Sequence, residues 1–513
     1  MQHEIELKLA IAEKDLAAWR KLPLLRRFSV GRAANRELIS SYFDTPELDL
    51  KAKGIALRVR KIGARRIQTM KVPGNKATGF QHLIEYEQEI GQDEPDLERI
   101  DNKALQKFFA RIGLQEKLAP AFTTEIKRRI TVLQYGESEI EMALDQGSIT
   151  AGERVMSLHE VEFELRSGHP ADILDLALEI HGQLPFSLER RSKAHRGYAL
   201  FTDETPVPVR ANPVVLDRKA KTRDVFAEVA WNCIDQIRAN ELPVLTSDDP
   251  EGLHQLRVGI RRLRSLFVLY RPFLSPEMLE PVIDELAWVQ ERLGPARDWD
   301  VFVGETLARV RKAMPEEDSL TSLEQAAMKM RAAHAGDSKA FVTDERYTLL
   351  LLRLFKALEQ GSVLAEGDKA ADKVLDKTIP AFAASVLDHH DSKVRKLASR
   401  VADLEIDDIH RLRLRVKKMR YAAEFFKSLF PAGKAKRRSK ALAALQEALG
   451  AVNDAAVCAD LLAQLTSASP EDQELRTAAG FVRGWYAALS AHGIASLETL
   501  WQDYEVTPCF WAK

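Results

Sequence analysis

Two patterns of hydrophobic and polar residues divide the chain near residue 200. Over the first part, apolar and polar residues alternate in short stretches punctuated by glycine, which is the period of two that β-strands show. Later residues follow long helical patterns rich in Ala, Leu, Arg, Lys and Glu. Between them, TDETPVPVRANPVVL contains three prolines and reads as an extended linker. We therefore predict domains at 1–201 and 217–513, joined by a linker at 202–216.

Eight stretches of the first part predict strands, enough for an α+β domain whose sheet closes or nearly closes and leaves no exposed edge. The eight stretches are EIELKLAI, ELISSYFD, IALRVRKI, RIQTMKV, HLIEYEQEI, FTTEIKRRITVL, EIEMALDQGSIT and HEVEFELRS.

Several of these strands carry a charged row on one face and an aliphatic row on the other. Acidic rows occur at Glu4 and Glu6 and at Glu160, Glu162 and Glu164, and basic residues at Arg58, Arg60 and Lys71. One such strand would simply face water, but the joint pattern favours aliphatic rows packed outward under helices and charged rows lining an interior. Interior carboxylates are costly unless they are neutralised. A divalent metal and a phosphate chain between acidic and basic strands would neutralise them, and oxygen ligands favour Mg²⁺ or Mn²⁺ over zinc.

This region resembles the CYTH domain, the triphosphate tunnel metalloenzyme family. EIELK matches the family's ExExK motif, and YFDTPELDLKAKGIALRVR, QTMK, ALDQGSI, HEVEFEL and RRSKAHRGY follow in the family's order. The resemblance implies an eight-stranded antiparallel tunnel that binds triphosphate-containing substrates. It implies metal ligands at Glu4, Glu6, Glu160, Glu162 and Glu164, phosphate-binding residues at Arg58, Arg60, Lys71, Arg128 and Lys193, and further catalytic-site residues at Lys8, Glu85 and Asp145. Simple alternation leaves Arg129 as an alternative to Arg128 for the inward arginine.

The helical half contains an internal repeat with an offset of 156 residues. LHQLRVGIRRLRSLFVLYRPFL aligns with IHRLRLRVKKMRYAAEFFKSLF, and VQERLGPARDWDV with LQEALGAVNDAAV. Each repeat places one histidine and three cations at i, i+3, i+7 and i+10, on one stripe of a helix. The stripes are His254, Arg257, Arg261 and Arg264, and His410, Arg413, Lys417 and Arg420. One such stripe could be a solvated face with Asp298 and Asp454 as counter-charges, but two favour a paired basic surface for a linear polyanion.

This half resembles the CHAD domain, with the matching motifs spanning roughly residues 217–460. The resemblance implies an all-α domain of two pseudo-symmetric antiparallel four-helix bundles and a basic groove that binds inorganic polyphosphate.

Composition limits the ligands, cysteine chemistry and cellular location that the sequence allows. The 513 residues carry a net charge of −1, so any affinity for polyanions must come from local clusters. Three scattered cysteines show neither a disulfide framework nor zinc spacing, and no stretch has the features of a signal peptide or membrane span. We expect a cytoplasmic protein with no membrane partner, one that could associate with polyphosphate granules.

These features together predict a metal-dependent inorganic triphosphatase with a polyphosphate-binding helical domain. Charge neutralisation and positioning suffice for phosphoryl transfer to water, and we find neither a nucleophile motif nor a GxxxxGK[ST] loop. The alternatives are hydrolysis of thiamine triphosphate or nucleoside triphosphates, and a non-catalytic polyphosphate adaptor. Nucleic-acid binding is disfavoured because aromatic residues are not interleaved with the basic stripes.

Overall fold

The computed structural model describes residues 2–74, 81–365, 367, 369–401 and 404–512, and the backbone alone at 2–4, 81–83, 279 and 406. The chain divides into two compact units. The first comprises Met1–Pro206 with Thr343–Gly361, and the second Val207–Val342 with Ser362–Lys513. The predicted order, an antiparallel tunnel domain followed by a helical domain, is confirmed. The predicted boundaries at 202–216 stay a prediction, and the inclusion of 343–361 in the first unit was not anticipated.

One antiparallel sheet forms the first unit. Its strand order is β5-β4-β3-β2-β6-β7-β8-β1-β9, and β5 also pairs with β1, so β1 to β8 form a closed ring. The strands are β1 Gln2–Ala10, β2 Ser29–Asp44, β3 Ala56–Ile62, β4 Arg65–Pro73, β5 Gln81–Ile90, β6 Ala119–Tyr135, β7 Ser138–Ala151, β8 Arg154–Ser167 and β9 Ser187–Leu188.

The aliphatic rows of the strands pack outward under helices, as the alternation predicts. Leu57 and Val59 of β3, for example, share a buried cluster with Phe109 and Leu114 of α3 and α4. The helices of this unit are α1 Leu16–Lys21, α2 Pro23–Phe28, α3 Lys103–Ile112, α4 Leu114–Lys117, α5 Pro170–His181, α6 Lys193–Thr202 and α14 Glu345–Glu359. Helix α14 packs against α5, where Lys356 forms an ion pair with Asp175.

Helix α6 lies unusually close to the sheet because of one glycine. A Cβ atom at Gly197 would come within 2.0 Å of the Phe122 ring on β6, so any larger residue would push the helix away. The side chain of Ser192 caps the helix by accepting a hydrogen bond from the backbone N–H of His195. This fixes the first helical residue, Lys193, beside β7 and β8.

The second unit is helical. Its helices are α7 Thr222–Ala239, α8 Glu241–Thr246, α9 Pro250–Tyr270, α10 Pro276–Arg292, α11 Gly294–Val301, α12 Ala308–Ala313, α13 Ser319–Val342, α15 Lys369–Leu375, α16 Ile379–Ala398, α17 Ile406–Phe426, α18 Ala432–Ala468 and α19 Gln473–Val506, with a π-helical stretch at Phe302–Leu307.

The sequence repeat reappears in these helices. Both ends of α9 and α17 are separated by the 156-residue offset. Helix α18 covers positions that α10 and α11 cover separately, because Pro295 interrupts the first repeat where the second has Ala451. Helix α9 packs against α17 and α13 against α19, so equivalent helices meet each other, as a pseudo-twofold axis requires. The division into two four-helix bundles stays a prediction.

A buried polar network joins the two repeats. The guanidinium of Arg262 on α9 donates hydrogen bonds to Glu424 on α17 at 2.8 Å, to Gln236 at 2.9 Å and to Asn232 at 2.7 Å. Arg262 is 1% exposed, so this pairing holds α9 and α17 in one register.

Helix α18 also anchors the end of the chain. Arg438 is fully buried, donates to the backbone carbonyls of Tyr504 and Thr507 and forms an ion pair with Asp391.

By length and apolar composition alone α18 could cross a membrane. In this structure its leucines, among them Leu461, pack with residues of α19 such as Val482.

Candidate functional site

A cavity of about 710 Å³ lies inside the closed sheet. Most of the tunnel residues predicted from the sequence line it: Glu6, Lys8, Arg58, Arg60, Lys71, Glu85, Arg128, Glu162, Glu164 and Lys193. Asp145 and Glu160 are 0% exposed and lie behind this lining. The side chain of Glu4 is outside the described residues.

The strand order distributes the charges of the cavity unevenly over two facing walls. We call the neighbouring strands β4, β3, β2 and β6 the basic wall; they contribute Lys71, Arg58, Arg60, Arg36 and Arg128. The remaining strands β7, β8, β1 and β5 form the acidic wall and contribute Glu141, Glu162, Glu164, Glu6, Glu85 and Glu87, together with the two cations Lys8 and Arg166, which are paired with Glu6 and Glu164. Among the described residues, nine lysines and arginines and six glutamates line the cavity, an excess of three positive charges.

Ion pairs join the two walls at both of their boundaries. Between β4 and β5, Lys71 faces Glu85 in register and forms an ion pair with it. Between β6 and β7, Arg128 faces Asp145 and donates to its two carboxylate oxygens at 2.7 and 2.6 Å, and it also contacts Glu162. Arg128 therefore points into the tunnel, whereas Arg129 lies on the other face of β6 beside Trp19.

Lys193 sits at the centre of the buried carboxylates. Its ammonium lies 2.8 Å from Asp145 and 2.7 Å from Glu162 and also contacts Glu160, which Arg196 contacts from the next turn of α6. Burial opposes ionisation of Asp145 and Glu162, but Lys193 and Arg128 outweigh burial and hold the pKa of both carboxyls below the ordinary value. The same carboxylates raise the pKa of Lys193 despite its burial. Asp145, Glu162 and Lys193 are therefore charged at neutral pH.

Arg60, in the middle of the basic wall, lies close to other cations, whereas Lys193 lies among carboxylates. Burial, together with the nearby charges of Arg58 and Arg128, lowers the pKa of Arg60 to about 9. Its Nε donates to the hydroxyl of Ser40 at 3.1 Å, and it forms no ion pair with a described carboxylate within 4.0 Å. A desolvated cation of this kind gains most from an anion in the cavity.

Several charged residues of the site were missed in the sequence analysis, among them Arg166, Arg196 and Arg36, and the first two carried a signal. Arg166 continues the period-two row of the eighth strand; it lies 2.8 Å from Glu164 and 2.7 Å from Glu141, which shares a strand face with Asp145. Arg196 follows Lys193 by three residues, the spacing that puts two side chains on one helix face. Arg36 lies opposite Arg128 in the sheet, and nothing in the local sequence pointed to it.

The acidic wall offers only oxygen ligands for a metal ion. Carboxylate oxygens of Asp145, Glu160 and Glu162 lie within 4.8 Å of one another, so this buried acidic cluster could bind a metal. Lys193, Arg128 and Arg196 already balance its three charges, however, and Asp145 and Glu160 do not reach the cavity surface. Glu6, Glu162 and Glu164 do line the cavity, where Glu6 is paired with Lys8 and Glu164 with Arg166.

In the second unit, the two predicted stripes meet where α9 packs against α17. Arg261 of α9 donates to the hydroxyl of Tyr421 on α17 at 3.4 Å, and its charge acts on both Arg413 and Lys417. Among the described residues, none of the six stripe cations forms an ion pair with a carboxylate within 4.0 Å: Arg257, Arg261, Arg264, Arg413, Lys417 and Arg420. Burial and Arg261 lower the pKa of Arg257 to about 10. The stripes therefore form one basic surface without ion-paired carboxylates among the described residues, and the charges of Asp298 and Asp454 act on Arg257, Arg413 and Lys417 from beyond ion-pair distance.

The repeats hold some of these cations in the same way. Arg264 donates to the side-chain oxygen of Gln290 at 3.3 Å, and its counterpart Arg420 donates to that of Gln446 at 3.0 Å. The two histidines are not equivalent, because His254 is half-buried and His410 is exposed.

Comparison with known proteins agrees with both halves of this description. The CYTH domain model matches residues 2–198 and the CHAD domain model residues 228–463. A curated relative, the inorganic triphosphatase of Haemophilus influenzae, is 32% identical over 202 residues, which are 39% of this chain and 55% of the relative. The chain thus matches about half the length of that relative.

Solved structures resemble each half separately. The crystal structure of the CHAD domain from the plant Ricinus communis is 31% identical, with a TM-score of 0.52, over 59% of this chain and 98% of that one. A putative adenylyl cyclase from Hippeastrum, described as having a dominant triphosphatase activity, is 20% identical over 39% of this chain and 95% of that one, with a TM-score of 0.30.

Removing the central ammonium should destabilise the tunnel. Lys193→Met leaves three carboxylates without their shared partner, and we expect a loss of about 3–5 kcal/mol at pH 7. Because Asp145 and Glu162 have lowered pKa values, the stability they contribute is present above pH 4–5 and is lost as the pH falls. The difference between wild type and variant should therefore be fully present above pH 5 and shrink as the pH falls below 4. Urea denaturation, with hydrogen exchange reporting on β7 and β8, measures it.

Lys51→Met is the matched control, because Lys51 lies 2.6 Å from Glu204 in an exposed ion pair. Equal losses in the two variants, or a loss for Lys193→Met that does not depend on pH, would contradict this role for Lys193.

Proposed function

We propose, for a chain that carries a CYTH domain at its N-terminus and belongs to the CHAD family through its C-terminal domain, that the tunnel is a metal-dependent triphosphatase whose substrate is inorganic tripolyphosphate. The observation that carries this proposal is the pair of facing walls inside a closed sheet, whose described lining residues have an excess of three positive charges. A linear polyanion fits the basic wall, and a divalent cation fits the carboxylates opposite. The homology of the tunnel domain to an inorganic triphosphatase supports the same assignment.

Substrate binding in this proposal belongs to the basic wall. Arg58, Arg60 and Arg128 would contact phosphate oxygens, for which planar guanidinium groups are well suited, and Lys71 would act as a point charge. The ion pair of Arg128 with Asp145 fixes the guanidinium at the cavity wall before substrate arrives. Positioning and charge neutralisation are the main requirements of phosphoryl transfer, so a wall of prearranged cations is suited to it.

The acidic wall would bind the metal and accept the proton of the attacking water. Mg²⁺ or Mn²⁺ at Glu6, Glu162 and Glu164 would neutralise phosphate charge and lower the pKa of bound water. The remaining carboxylates of this wall, including Glu85, would take up that proton. Lys193 would hold Glu162 in place through its 2.7 Å contact.

The second unit is proposed to bind inorganic polyphosphate along the paired stripes of α9 and α17. The six cations have no described carboxylate partner within 4.0 Å, whereas nearby Arg262 and Arg297 are paired with Glu424 and Glu305. Six such cations aligned on two helices, five of them half-buried, favour a linear anion with closely spaced charges.

Glu6→Gln tests the hydrolase proposal. With Mg²⁺ or Mn²⁺ present, wild type should release phosphate from tripolyphosphate more efficiently than from ATP or thiamine triphosphate. The variant should lose at least about 100-fold in kcat/KM, because a metal ligand is removed. Glu139→Gln changes an exposed glutamate of β7 and should leave kcat/KM unchanged. No release from any of the three substrates by folded wild-type protein would refute the proposal.

Arg257→Gln combined with Arg413→Gln tests the polyphosphate proposal. We expect at least tenfold weaker binding of long-chain polyphosphate, measured by titration calorimetry, and a smaller dependence of affinity on salt concentration, since fewer counter-ions are displaced. Arg271→Gln, which removes an exposed arginine paired with Glu280, should bind as wild type does. Equally strong displacement of polyphosphate by duplex DNA would instead favour a nucleic-acid ligand.

A further inference from the structure

Equivalent positions of the two basic stripes carry different cations. Arg261 of α9 corresponds to Lys417 of α17 at the 156-residue offset. An arginine side chain holds its proton more tightly than a lysine ammonium, which loses its proton more readily when it is desolvated or surrounded by other cations. The repeat therefore places one lysine among arginines on the paired stripes.

Lys417 is half-buried and is surrounded mainly by positive charge. The charged groups that act on it are Arg413 and Arg420 of its own helix, Arg261 across the α9–α17 contact, and the carboxylate of Asp454 on α18. Asp454 is the sole acidic group among them, and no described carboxylate lies within 4.0 Å of the Lys417 ammonium. Burial, Arg413 and Arg261 together lower the pKa of Lys417 to about 8.

We propose that binding of an inorganic polyphosphate chain across α9 and α17 takes up a proton at Lys417, so that the site holds its ligand less tightly as the pH rises above neutrality. The inference rests on the proposed polyphosphate-binding function of this domain. Phosphate oxygens beside the ammonium would stabilise its charged form, and the proton would come from the buffer to Nζ. The internal phosphates of a long chain remain ionised throughout, so they do not supply it.

Two other groups of the stripes titrate outside this range. Burial and Arg261 lower the pKa of Arg257 only to about 10, and burial with Arg297 lowers the pKa of His254, which is therefore neutral above pH 7. Lys418, the neighbour of Lys417, is exposed, and the charges that act on it are those of Lys393, Arg264 and Arg415. Lys418 is thus a matched control of the same residue type.

Titration calorimetry of the full-length protein with long-chain inorganic polyphosphate tests the inference. For a lysine with a pKa near 8 that is fully protonated in the complex, wild-type affinity should fall about tenfold between pH 7 and pH 9. At pH 8, binding enthalpies measured in HEPES and in Tris should differ, because about half a proton is taken up per site. Lys417→Arg should bind with an affinity that changes less than about twofold over this range and should show little buffer dependence.

Lys418→Arg should behave as wild type does. Three results would overturn the inference: equal wild-type affinity at pH 7 and pH 9, a pH dependence that persists in Lys417→Arg, or its loss in Lys418→Arg alone. Failure of wild type to bind polyphosphate at either pH would refute the proposed function of the domain as well, which separates that outcome from the other three.

Discussion

The tunnel depends on the neutralisation of carboxylates that are buried without access to water. Asp145 and Glu160 are 0% exposed, and either of them alone would cost several kcal/mol to bury as an anion. Lys193 and Arg128 supply the compensating charge from opposite sides, one from α6 and one from β6. The close approach of α6 to the sheet at Gly197 follows from this requirement, since the ammonium must reach the carboxylates. The carboxylates buried behind the acidic wall are already paired with cations, so this wall can face the cavity without leaving a buried charge uncompensated.

The two candidate sites use positive charge in different ways. In the tunnel, cations at both boundaries between the walls are paired with carboxylates, so their positions are set before any ligand binds. This arrangement suits a short substrate that must be held in one orientation against a metal ion. On the paired stripes of α9 and α17 the cations are held by glutamine and backbone oxygens instead, and their charges are left for the ligand. A surface of that kind favours a long anion, and the anion can bind at different positions along the surface.

Sequence periodicity correctly predicted the position of a side chain where that position depends only on the face of a single strand or helix. The period of two placed Glu6, Arg58, Arg60 and Glu162 on the cavity face, and the i, i+3, i+7 spacing placed both cation stripes on the surface where α9 meets α17. Alternation could not choose between Arg128 and Arg129, because the choice depends on how β6 pairs with β7.

Features that depend on distant parts of the chain were not predictable in the same way. The partners of Lys193 lie on β7 and β8, 31 to 48 residues earlier in the chain, and no local pattern specifies them. The membership of α14 in the first unit depends on apolar packing against α5, which the helical pattern alone does not reveal. The effect of Pro295, by contrast, could have been predicted, since proline removes a backbone donor that a continuous helix needs.

The central claim is that the acidic wall binds metal while the basic wall binds the phosphate chain. The most direct test is diffraction from crystals grown with Mn²⁺ and a non-hydrolysable tripolyphosphate analogue, with anomalous scattering locating the metal. We predict a manganese peak beside Glu6, Glu162 and Glu164, with phosphate oxygens on Arg58, Arg60 and Arg128. Manganese that displaces Lys193 from Asp145 and Glu160, or an analogue bound outside the tunnel, would contradict the account.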